Sequence, residues 1–145
     1  MTQISRRILL KQVEQQMFET LWEAISQVRD KDDVQIFLND LLSPIERVMI
    51  AKRLAIAALL LKGNSYETIK DFLKVSTETV AKISLILKMN KGYQLAINKL
   101  IRTEAGKQFW QEIENLLYRL SSPGKVFLPE EAVKYKLGHK KKTLV

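Results

Sequence analysis

A chain of 145 residues has room for one compact domain and little more, and its five Gly and three Pro argue against a turn-rich β architecture. The formal charge of +8 is unevenly placed: residues 1–42 carry five basic and seven acidic side chains, residues 43–91 nine and four, and residues 92–145 ten and five. The absence of cysteine excludes disulfides and thiolate metal sites, and no apolar run reaches the roughly 18 residues of a membrane span. The amino terminus also lacks the apolar core and cleavage site of a signal peptide, so a cytoplasmic protein without membrane association is expected.

Apolar residues recur at spacings of three and four from Leu10 through Val13, Met17, Leu21, Ile25 and Val28, which predicts a long amphipathic helix over about 7–28. The charged run Arg29-Asp30-Lys31-Asp32-Asp33 closes it. An Asp there caps a short second helix holding Phe37, Leu38, Leu41 and Leu42. Ser43-Pro44-Ile45-Glu46 has the parts of a capping box, with Pro at the first helical position, and predicts a third helix from Pro44 to about Lys62. This helix is apolar almost all round through Leu54-Ala55-Ile56-Ala57-Ala58-Leu59-Leu60-Leu61. A helix of that kind must be covered on every side, which points to a second copy of the chain, although burial within one subunit also satisfies the pattern.

Gly63 stands where a left-handed residue ends a helix, and Asn64-Ser65 offers the cap of the next, Tyr66 to Leu73. Lys74-Val75 turns the chain and Ser76 caps a helix from Thr77 to about Lys88. Beyond Gly92, helical spacing in Leu95, Ile97, Leu100 and Ile101, then in Phe109, Ile113, Leu116, Leu117 and Leu120, predicts two helices or one bent one. The expected organisation is an all-α helical domain over 1–122 followed by a basic C-terminal tail, 123–145, whose Val126-Phe127-Leu128 and Lys140-Lys141-Lys142 either dock or stay loose.

Within residues 65–88, Ile69, Leu73, Val75, Val80 and Ile83 have the spacing by which two short helices share one small core, as in a helix-turn-helix. The outer amino-terminal face of the second helix then carries Ser76, Thr77, Glu78, Ala81 and Lys82, the face that enters a major groove in this motif. The hydroxyls of Ser76, Thr77 and Thr79 and the ammonium of Lys82 suit phosphates and base edges, and Lys62, Lys70 and Lys74 flank the contact. An ordinary helix pair with a solvated face fits the same spacing, and Glu78, which phosphate repels, favours that reading. His139 is the only histidine and no phosphate-loop, zinc or nucleophile signature is present, so no enzyme, catalytic residue, metal or cofactor is expected.

Leu41-Leu42-Ser43-Pro44, Glu46-Arg47, Lys52-Arg53, Leu60-Leu61-Lys62-Gly63 and Val75-Ser76-Thr77 together resemble the Trp-repressor-related family over about residues 36–85. The resemblance implies a Trp-repressor-like fold, an intertwined homodimer, and two helix-turn-helix motifs presented to half-sites of double-stranded DNA about one helical turn apart, with repression of transcription as the function. A dimeric helical adaptor that has lost DNA is the alternative it leaves open.

Three departures accompany it. Lys70 stands where a small residue is usual, so its stem has to escape the helix crossing. Lys74 occupies a turn position where glycine is common, at a backbone cost. The effector pocket that the resemblance places at Arg53 lacks its second arginine, replaced by Lys82, and the neighbouring position, glycine in tryptophan-responsive members, is Ile83. Free tryptophan is therefore not expected as the effector, which stays unidentified.

Overall fold

The computed structural model describes residues 7–120, and every regular element among them is a helix: α1 (Lys11–Gln27), α2 (Lys31–Leu41), α3 (Pro44–Leu61), α4 (Tyr66–Leu73), α5 (Thr77–Met89), α6 (Gly92–Ile101) and α7 (Glu104–Leu120). The chain divides into two compact units, Met1–Ile50 and Ala51–Val145. The expected tail, 123–145, lies outside the described residues.

The first unit is built by its caps. Helix α1 begins at Lys11, a turn later than the apolar spacing predicts, because Leu10 is extended and supplies no side-chain cap. The Asp30 carboxylate accepts the Asp32 N–H at 2.9 Å and starts α2, with Asp32 and Asp33 favourably placed in its first turn. At α3 the capping box is complete and reciprocal: the Ser43 N–H donates to Glu46 at 2.8 Å, and the Glu46 N–H donates to the Ser43 hydroxyl at 3.3 Å. One turn on, the Arg47 guanidinium donates to the side chain of Asn39.

Packing in this unit is a different matter. No residue from 7 to 50 is buried. Met17 and Trp22 are 57% and 54% exposed and Ile45 71%, and Trp22 stacks on Phe18 at 5.8 Å in the open. The apolar face that periodicity assigns to α1 is present but uncovered.

The second unit holds the core: Ile56, Ala57, Ala58 and Leu59 of α3, Ile69 of α4, Val80, Ile83 and Leu87 of α5, Ile97 of α6, and Trp110 and Leu117 of α7. Helix α4 packs on α5, α5 on α6, and α6 on α7. Gly63, at φ 85°, ends α3 in a Schellman arrangement, with the Asn64 N–H returning to the Leu59 carbonyl at 3.1 Å. The spacing after Gly92 left two helices or one bent one, and the structure has two. Thr103 breaks them, its hydroxyl donating to the Leu100 carbonyl at 2.8 Å and accepting the Gly106 N–H at 3.0 Å. A Cβ on Gly106 would lie 1.9 Å from the Leu100 carbonyl oxygen, so only glycine lets α7 start this close to the end of α6.

Between α4 and α5, Lys74 takes the left-handed conformation, φ 52° and ψ 57°, as its turn position implies, and both its own N–H and that of Val75 return to the Lys70 carbonyl. A side chain pays roughly 1–2 kcal/mol in that region, whereas glycine pays only in chain entropy. Lys74→Gly is therefore expected to stabilise the protein by about 0.5–1 kcal/mol, raising Tm by about 2–4 °C in a calorimetric melt. A lowered Tm would show that the lysine side chain contributes more than the turn costs.

The capping box makes a second expectation about pH. The Ser43 backbone N–H, reinforced by the Ser43 hydroxyl, holds the Glu46 carboxyl at about 2, below its ordinary 4.5. Because the folded value lies below the unfolded one, this contribution is complete above about pH 4.5 and is lost as pH falls toward 2. Melting curves across that interval should fall less steeply for Glu46→Gln, whose amide still accepts the N–H, than for the wild type; parallel curves would contradict the assignment.

Candidate nucleic-acid interface

The helix-turn-helix spans α4, the turn at residues 74–76, and α5. Its two helices are held by the same device used twice. The Ser65 hydroxyl accepts the Thr68 N–H at 3.2 Å and bonds the Thr68 hydroxyl at 2.8 Å. The Ser76 hydroxyl accepts the Thr79 N–H at 3.1 Å and bonds the Thr79 hydroxyl at 2.8 Å. Two of the hydroxyls expected to meet DNA, those of Ser76 and Thr79, are thus engaged with each other in a cap, and Thr77 is the outward hydroxyl of the first turn.

Burial divides α5 sharply. Val80, Ile83, Ser84 and Leu87 face the core, while Thr77, Glu78, Ala81, Lys82 and Leu85 are exposed along the opposite side. That second set follows the 1, 2, 5, 6, 9 pattern of one helical face, which begins at the amino-terminal end. Ile83, the residue at the glycine position of the tryptophan-binding pattern, is 2% exposed and belongs wholly to the core with Ile56, Ile69 and Val80. Arg53, on α3, is exposed.

The cations are not equivalent. Lys70 and Lys74 are exposed, so the stem of Lys70 does escape the helix crossing. Lys82 pairs with Glu78 one turn earlier at 3.0 Å, both side chains being about three-quarters exposed. Such surface pairs are worth about 0–1 kcal/mol, little enough that a phosphate can displace the carboxylate. Lys62 is less exposed, with its ammonium 3.8 Å from Glu114 and 5.2 Å from the ring centre of the buried Trp110, both on α7.

The contact of one further cation was not legible in the sequence. Lys52 on α3 donates to the Lys74 carbonyl at 3.4 Å, tying the turn to the core helix. Nothing in local spacing marks a lysine as the partner of a carbonyl twenty-two residues away. Among the described residues no group of three or more His, Cys, Asp or Glu side chains is placed to hold a metal ion, and no helix is long and apolar enough to cross a membrane.

Two known proteins are similar to this chain. "Uncharacterized protein YerC" of Bacillus subtilis (strain 168) is 29% identical over 87 residues, which are 59% of this chain and 84% of that one. The crystal structure of a TrpR-like protein from Eubacterium eligens ATCC 27750 superposes with a TM-score of 0.58 at 25% identity, covering 66% of this chain and 99% of that one. The family described as "Trp repressor protein" matches residues 16–101, a span that runs from α1 to the end of α6 and leaves α7 outside. Taken with the capped helix-turn-helix at its centre, that match establishes that the chain belongs to the Trp repressor family.

Proposed function

We propose that the chain is a homodimeric, sequence-specific double-stranded DNA-binding regulator of transcription, acting as a repressor in the cytoplasm. The observation that carries this reading is the exposed face of α5, which sits above a rigidly capped turn and offers Thr77, Glu78, Ala81, Lys82 and Leu85 while the opposite seam is locked in the core. A helix held this way meets a major groove without rearrangement, which lowers the ordering cost of binding. Lys70 and Lys74 beside it, with Lys82, supply cations for phosphates on either side.

The homodimer is supported by the first unit. Helix α2, at eleven residues, is too short to persist in water alone, and α1 has no buried side chain to hold it. A groove of about 640 Å³ lined by Val13, Met17, Leu21, Phe37 and Leu41 runs along these two helices, and a second copy supplies matching apolar helices to fill it. The effector pocket of this reading includes Arg53. Its ligand is not free tryptophan, since Lys82 is a point charge paired with Glu78 and lacks the flat guanidinium that stacks on an indole.

Binding isotherms on duplex DNA at several salt concentrations test the reading. Lys82→Ala should weaken binding and reduce the salt slope by about one per subunit. Glu78→Gln releases Lys82 from its internal partner and removes a charge that phosphate repels, so it should bind nonspecific duplex more tightly than wild type, with a steeper slope. Thr77→Ala should alter sequence preference more than overall affinity. Wild-type affinity, slope and preference in all three variants would place the DNA surface elsewhere, and a wild type that binds no duplex would leave the adaptor.

A further inference from the structure

The exposed face of α5 contains two side chains that a purely electrostatic contact does not need. Ala81 and Leu85 lie four residues apart beside Lys82, and Leu85 is 57% exposed although it belongs to a helix whose opposite seam is well packed. Burying Leu85 against an apolar group would recover free energy that its exposure forgoes. The apolar feature that bases display in the major groove is the C5 methyl group of thymine.

Resting on the reading that α5 enters duplex DNA, we propose that Ala81 and Leu85 are specificity-determining residues that recognise the C5 methyl groups of thymines in the bound sequence. Their separation along the helix axis is about 6 Å. That is close to two base-pair steps of about 3.4 Å, so the two side chains meet methyl groups on different base pairs. Glu78 and Lys82, 3.0 Å apart in the free protein, stand beside Ala81 and Leu85, and a phosphate that takes Lys82 from the carboxylate leaves the two apolar groups in place on the face. Thr77, one turn before Ala81, leaves a hydroxyl for the neighbouring base edge or phosphate.

The test needs the full chain and chemically altered DNA. Sequences enriched by the wild-type protein from random duplex are resynthesised with deoxyuridine in place of each thymine in turn, which removes one methyl group and leaves every hydrogen-bonding group intact. At one or more positions in each half-site the affinity should fall about fourfold, the value of one buried carbon. Leu85→Ala or Ala81→Ser should make the same position indifferent to the exchange. Affinity unchanged by uracil at every position overturns the inference while leaving DNA binding intact. Equal weakening of thymine and uracil duplexes by Leu85→Ala overturns it for that residue, showing that it packs against protein. Failure to enrich any duplex overturns the DNA reading, and this inference with it.

Discussion

Apolar helix faces have to be covered, and in this chain the covering is divided unequally. Residues 7–50 contain helices with all the marks of amphipathic packing and not one buried side chain, whereas the buried side chains among the described residues all lie beyond residue 50. Backbone hydrogen bonds do not hold such helices in water unaided, because the gain per residue barely exceeds the entropy of ordering it. Each large side chain moved from half exposure into an interface contributes on the order of 1 kcal/mol, and Val13, Met17, Phe18, Trp22 and Ile25 on α1 alone offer several such gains. In the proposed homodimer a second copy of the same chain would provide an apolar surface of the same kind and close it by symmetry.

The second unit obeys a different constraint, that of holding one helix still. The seam of Val80, Ile83 and Leu87 against Ile69 and α3 fixes the rotation of α5, and the Ser76 and Thr79 cap fixes where it begins. The left-handed Lys74 fixes the angle at which the chain enters it, with Lys52 holding the turn carbonyl. Once these are set, the outward side chains follow from helical period alone. The result is a face of modest charge: one paired lysine, one outward hydroxyl and two apolar groups. In the proposed complex with duplex DNA, affinity on such a face would come from flanking lysines and discrimination from the groups at the centre, a division common to duplex readers.

Much of this was legible in the sequence because the deciding interactions are local. Capping signals act over three or four residues, so Ser43-Pro44-Ile45-Glu46, Gly63, Ser65 and Ser76 each located a helix end, and period 3.6 chose the inward faces of α4 and α5. What escaped is of longer range or turns on close approach. The contacts of Lys62 with Glu114 and Trp110 join residues with no local relation in the sequence. Gly106 gave no signal as a turn residue, since it sits inside a helix, and its necessity comes from the Leu100 carbonyl beside it. The hydrogen bond between the hydroxyls of Ser76 and Thr79 depends on the orientation of both side chains, which spacing alone does not give.

The proposed dependence of the arrangement on a second copy is measured most directly by the mass of the particle in solution. Light scattering on the purified chain at micromolar concentration should return twice the 16.8 kDa of one chain, together with full helicity by circular dichroism. A particle of 16.8 kDa with the same helicity would contradict the account, because α1 and α2 would then persist with their apolar faces in water.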